Sequence, residues 1–125
     1  MGVRVALVED NDVFRETLEL LLSLRGDIEI VASVATGQEA IKLCADLEPD
    51  VVLVDYRMPG LNGAQTTTEI LEASPRSRVI CLTASISRDE MASLVAAGAV
   101  ACLTKDEDLE RIVASIHSAA TSAAA

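Results

Sequence analysis

The sequence predicts an α/β fold in which five parallel strands form one sheet with five helices covering its two faces. Three observations predict it. Short aliphatic runs recur along the chain, stretches with apolar residues at helical spacing separate them, and Gly, Pro and capping residues fall at the joins. Strict strand–helix alternation gives a parallel sheet with right-handed crossovers, because each helix must return the chain to the same end of the sheet.

The strands are read at Val3–Val8, Ile28–Val34, Val51–Val54, Val79–Leu82 and Val100–Leu103. Most are continuous Val, Ile and Leu runs. A run without polar alternation suits a strand buried on both faces. Helical stripes follow: Phe14, Leu18, Leu21 and Leu22; Ala40, Cys44 and Leu47; Thr67, Ile70, Leu71 and Ser74; Met91, Leu94 and Val95; and Leu109, Ile112, Val113 and Ile116. Each repeats every three to four residues, as one face of a helix does. Thr36 with Glu39, and Ser87 with Glu90, read as capping boxes, and Asn62 reads as a cap before Gln65. Asp106, Glu107 and Asp108 set negative charge at the positive end of the fifth helix. Gly26, Pro49, Pro75 and Gly98 mark helix ends.

At 125 residues the chain is one ordinary domain, residues 1–117, followed by an Ala/Ser-rich stretch, 118–125, that is either a fraying helix end or the start of a linker. Half the residues are apolar, so an aliphatic core is available; Phe14 and Tyr56 are the only aromatics. A net charge of −10 repels nucleic-acid phosphates and anionic membrane surfaces, and two aromatics give no stacking platform for bases. No apolar run reaches the length of a membrane span, and the N-terminus has no secretory pattern, so a cytoplasmic location is expected. Cys44, Cys81 and Cys102 lack metal-ligand spacing and read as free thiols of a reducing compartment.

Ligands of such sheets bind beyond the carboxyl ends of the strands. Those ends carry Glu9 and Asp10 after the first strand, Asp55 after the third, Thr83 after the fourth and Lys105 after the fifth. Each has a plain structural role when taken alone, as loop acid, capping group or surface lysine. Together they converge on one crevice. Three clustered carboxylates repel one another, and a hard cation such as Mg²⁺, which takes oxygen ligands and leaves room for a phosphate oxygen, relieves that repulsion. A carboxylate can serve as nucleophile and form an aspartyl-phosphate. Asp55 is the candidate, central in the sheet and followed by the Met58-Pro59-Gly60 turn. Lys105 would neutralise the phosphoryl oxygens and Thr83 would donate a hydrogen bond to one of them.

The segments LVEDND (7–12), VVLVDYRMPGLNG (51–63), VICLTA (79–84) and GAVACLTK (98–105) closely resemble the receiver domain of two-component response regulators. The resemblance implies a flavodoxin-like (CheY-like) sheet of order 2-1-3-4-5. It implies that Asp55 accepts phosphate from a sensor histidine kinase. Asp10, Asp55 and the backbone carbonyl of Arg57 would ligate Mg²⁺, with Glu9 assisting through water, while Lys105 and Thr83 bind the phosphoryl oxygens. The DYRMPG form and the non-proline Asp106 after Lys105 are similar to the LuxR/NarL-type subgroup, whose output is a C-terminal helix-turn-helix DNA-binding domain, absent from this chain. Homodimerisation is common in the family. A stand-alone regulator acting on a protein partner and a degenerate receiver that takes no phosphate are the alternatives. A phosphate-ester hydrolase would need a second acid, commonly an Asp two residues after the nucleophile, and position 57 is Arg. The chain is expected to be no enzyme beyond its own phosphorylation and dephosphorylation.

Two departures from the family pattern stand out. Cys102 occupies the place of a switching aromatic, and a thiol cannot swing between buried and exposed states as a ring does. Asp106 replaces a proline, so a trans bond after Lys105 is expected. Arg57 and Ser85 flank the site as tuning or solvated loop residues. His117, the only histidine, and Tyr56 read as structural.

Overall fold

The computed structural model describes residues 2–122. The elements are β1 (Val3–Val8), α1 (Asp12–Ser23), β2 (Ile28–Val34), α2 (Gly37–Leu47), β3 (Val51–Val54), α3 (Gly63–Ala73), β4 (Arg78–Thr83), α4 (Arg88–Ala97), β5 (Ala101–Thr104) and α5 (Leu109–Ser122). The strands form one parallel sheet in the order β2-β1-β3-β4-β5, as the resemblance implies. Val8 pairs with Val54, Val54 with Cys81, and Thr83 with Thr104, so the carboxyl ends of the four central and edge strands lie side by side. That alignment positions the site.

The core divides by sheet face. On one side Val5, Leu7, Leu53, Ile80, Leu82 and Leu103 meet Leu18 and Leu22 of α1 and Ile112, Val113 and Ile116 of α5. On the other, Ala6, Val8, Val52, Val54 and Val79 meet Cys44 of α2 and Ile70 of α3. A smaller cluster joins Tyr56, Ala64, Cys81 and Leu94. The central run 51–54 is buried throughout, as continuous apolar strands require.

The caps follow the chemistry of the sequence. Asn62–Gln65 and Ser87–Glu90 form full capping boxes, in which side chain and backbone bond reciprocally. Thr36 accepts from the Glu39 N–H, but the Glu39 carboxylate bonds the Thr36 hydroxyl, leaving half a box. Asp108 caps α5 through the Arg111 N–H. Replacing Ser87 with Ala removes one cap acceptor and is expected to cost about 1 kcal/mol in denaturant unfolding.

Three readings shift. Helix α4 buries only Leu94; Met91 and Val95 are exposed, because α4 sits at the sheet edge with few neighbours to cover it. The last strand starts at Ala101, and Val100 is half exposed. Helix α5 continues through Ser122 with Ala119 in the core, so residues 118–122 are helical; 123–125 lie outside the described residues. No cis peptide occurs among the described residues, so the Lys105–Asp106 bond is trans.

Candidate functional site

Each site residue is placed by the strand that ends before it. The Asp55 N–H bonds the Val8 carbonyl and the Glu9 N–H bonds the Val34 carbonyl, continuing the sheet ladder one residue past the strands. The Lys105 N–H likewise bonds the Thr83 carbonyl. These bonds fix the starting points of three side chains that then turn into one crevice.

Glu9, Asp10 and Asp55 come together there, with one carboxylate oxygen from each within 4.8 Å of the others. Glu9 and Asp55 are both 6% exposed, whereas Asp10 is open to solvent. Lys105 Nζ lies 2.6 Å from Glu9 Oε1 and 3.2 Å from Asp55 Oδ2. The same ammonium stands 4.7 Å from the centre of the Phe14 ring. Burial pushes the Glu9 carboxyl above its usual pKa; Lys105 and the Asn11 N–H pull back without cancelling the rise. Burial also works against the charge on Lys105, but Glu9 and Asp55 hold it above the usual lysine value. Among the described residues Lys105 is the one cation set among these three acids, an acid-rich set that favours a further cation.

The turn after β3 is held from both ends. The Gly63 N–H donates to the Tyr56 carbonyl at 2.7 Å, and the Arg57 N–H reaches Asp55 Oδ1 at 3.4 Å. The Arg57 side chain points away from the acids. It makes two 2.8 Å bonds to Glu90 on α4 and lies over the Tyr56 ring. Arg15 bonds the Glu9 carbonyl at 2.7 Å and Asp12 at 2.9 Å, bracing the loop that carries the acidic pair.

The structure thus brings Glu9, Asp10, Asp55 and Lys105 together. Thr83 is fully buried at the end of β4, but its hydroxyl donates to the Ser85 carbonyl at 3.3 Å. The direct Glu9–Lys105 pair, the Phe14 ring over the ammonium and the Arg57–Glu90 bridge were not legible in the sequence. Phe14 reads there as one more member of a core stripe. The partners of the bridge are 33 residues apart, and no local pattern links them. His117 bonds Asp27 at 2.6 Å, a structural contact between α5 and the turn before β2.

The chain matches the family model for the response regulator receiver domain over residues 5–117. It is 35% identical over 114 residues to the transcriptional regulatory protein LnrK of Bacillus subtilis, covering 91% of this chain and 52% of that protein. It is 30% identical over 116 residues to the nitrate/nitrite response regulator protein NarL of Escherichia coli K12, covering 93% and 54%. The chain therefore spans about half the length of these curated relatives. Among solved structures, the signal receiver domain of a NarL protein from Mycobacterium tuberculosis superposes with a TM-score of 0.90 at 32% identity, over 96% of this chain and 97% of that one. A LuxR-family DNA-binding response regulator from Staphylococcus aureus gives 0.87 at 28%, over 94% and 98%. With the fold, the strand order and nearly the whole length in agreement, the chain belongs to the response regulator receiver domain family of two-component systems, of the LuxR/NarL-like kind.

Proposed function

We propose that this chain is a phosphoacceptor: Asp55 takes a phosphoryl group from the phosphohistidine of a sensor histidine kinase. The observation that carries the reading is the convergence of Glu9, Asp10 and Asp55 beside the single ammonium of Lys105. In the transfer an Asp55 carboxylate oxygen forms a bond to phosphorus, the phosphorus–nitrogen bond breaks, and the histidine leaves as the imidazole. Lys105 already touches the Asp55 oxygen nearest it, so it meets the charge that gathers on the phosphoryl oxygens. Thr83 supplies a hydroxyl to those oxygens once it leaves the Ser85 carbonyl.

An all-oxygen, acid-rich donor set suits Mg²⁺. Asp10, Asp55 and the Arg57 carbonyl would hold it, with Glu9 behind them, and the bound cation would neutralise phosphoryl oxygens. The fit rests on the excess of negative charge that Lys105 alone leaves uncompensated. Catalysis extends no further than the domain's own phosphorylation and dephosphorylation. The receiver extends through α5, whose Ala119 is in the core, and the chain leads on from there toward the output. That output is a C-terminal helix-turn-helix DNA-binding domain outside this chain. The transcriptional relatives, about twice as long as the matched region, support this part of the reading.

A thermal melt in the presence of Mg²⁺ tests the site directly. A hundredfold excess over Kd stabilises a folded protein by about 2.7 kcal/mol, so a clear rise in Tm is expected. Asp10→Asn should lose most of that rise while leaving the metal-free Tm near wild type, since Asp10 is exposed. No rise in wild type, or an equal rise in Asp10→Asn, contradicts the assignment.

A further inference from the structure

Two of the three cysteines face each other behind the site. Cys81 on β4 and Cys102 on β5 are direct partners in the parallel ladder. Partnered residues of parallel strands point to the same face. Both thiols therefore enter the cluster of Tyr56, Ala64 and Leu94. Neighbouring strands run about 4.8 Å apart, within the Cα separation that a disulfide spans. The two residues are ladder neighbours on one face, and burial, with the Cys102 thiol beside it, raises the pKa of Cys81 well above the ordinary thiol range. Cys81 is fully buried, but Cys102 is only half-buried and sits on β5, which among the described residues is an edge strand. Cys44 lies in a separate cluster under α2 and is buried. One half-buried cysteine, one fully buried partner beside it in the ladder and one isolated cysteine make a defined arrangement.

We propose that Cys81 and Cys102 are a redox-modification site that closes to an intramolecular disulfide when a hydroperoxide oxidises Cys102. The Cys102 sulfur attacks the outer oxygen of the hydroperoxide, and the thiol proton passes to the departing oxygen. The oxygen–oxygen bond breaks, the alcohol or water leaves, and Cys102 becomes a sulfenic acid. The Cys81 sulfur then displaces hydroxide from that sulfenic acid, its own proton leaving with the hydroxide as water. Two thiols are oxidised and one peroxide bond is reduced. Attack by a buried thiol of raised pKa is the slow step, so closure is gradual and the sulfenic acid is trappable.

The linkage sits two residues before Thr83 and three before Lys105. It ties β5 to β4 covalently, immediately behind both. Slower phosphoryl uptake in the oxidised domain is the expected consequence; this consequence, unlike the linkage itself, rests on the phosphoacceptor reading.

The test is to treat the folded protein with hydrogen peroxide, denature it without reductant, alkylate it and measure intact mass and peptides. The reduced protein carries three alkylated cysteines, and the oxidised protein should carry one, on Cys44, with peptides containing Cys81 and Cys102 joined. Dithiothreitol should restore all three. Cys102→Ser should abolish the joined peptide, and Cys44→Ser should not change it. Loss of a Cys44 thiol instead, or an unchanged alkylation count, overturns the proposal. Labelling of reduced and oxidised protein with acetyl phosphate then tests the consequence. Equal rates overturn the regulatory effect, whereas no label in either form counts against the Asp55 assignment and leaves the disulfide standing.

Discussion

Lys105→Ala is expected to slow phosphoryl uptake from acetyl phosphate by roughly 10²–10³-fold, the usual loss when one charge-stabilising donor is removed from a transition state. The ammonium contacts the acceptor carboxylate at 3.2 Å and is the one cation placed among the three acids. Its removal also leaves Glu9 and Asp55, both buried, without their shared partner. The metal-free variant should therefore melt below wild type, because a buried charge without its counterion is destabilising. Added Mg²⁺ should raise the Tm of the variant by more than it raises wild type, since a more negative site attracts a cation more strongly. Lys105→Arg should not restore full uptake, because a planar guanidinium cannot replace a compact ammonium between two carboxylates beneath the Phe14 ring. Stopped-time labelling and thermal melts of the variants check all four points. Uptake at the wild-type rate in Lys105→Ala would remove the residue from the chemistry.

Gly63→Ala is the second large effect. A Cβ at this position would lie 2.7 Å from the Tyr56 Cα and 2.9 Å from the Asp55 carbonyl oxygen. Both are backbone atoms, so no side chain can rotate to make room. The first turn of α3 must move off the β3 turn, which breaks the 2.7 Å bond from the Gly63 N–H to the Tyr56 carbonyl. Overpacking of this kind costs about 1–3 kcal/mol, which in a domain of this size lowers Tm by roughly 10 °C. Because the atoms that the new Cβ presses on include the Asp55 carbonyl, phosphoryl uptake should fall as well. Gly26→Ala is the control: a Cβ there meets nothing within 4 Å, and a Tm at or slightly above wild type is expected. Equal melting temperatures for the two variants would refute the steric account.

Much of this was legible in the sequence because the signals were local. Four residues of unbroken Val and Leu at 51–54 can only be comfortable inside a two-sided sheet, and that is where they lie. Asn62 with Gln65 and Ser87 with Glu90 carry their helix starts within one turn. Glu9, Asp10, Asp55 and Lys105 each follow a strand, so parallel topology alone brings them to one edge. What escaped the sequence depends on distance in the chain or on the absence of neighbours. The Met91, Leu94 and Val95 stripe looks like a core face, yet only Leu94 is covered, because periodicity does not say whether a helix has anything beside it. Lys105 reads as a ligand for phosphoryl oxygens, but its resting partners, Glu9 above all, emerge only when β1 and β5 loops meet. Arg57 reads as a tuning or solvated loop residue beside the acceptor, while its guanidinium bridges to Glu90 and ties the acceptor turn to the start of α4. The Thr83 hydroxyl faces the Ser85 carbonyl, a rotamer that no sequence pattern encodes.

The central claim is that Asp55 is a covalent phosphoryl acceptor, and intact mass spectrometry tests it most directly. Wild type and Asp55→Asn are incubated with acetyl phosphate, with Mg²⁺ and with a chelator. A single phosphoryl adduct is expected on wild type, absent with the chelator, absent from Asp55→Asn and removed by hydroxylamine as an acyl phosphate is. A wild-type protein that binds Mg²⁺ and gains no adduct, or an adduct that persists in Asp55→Asn, would contradict it.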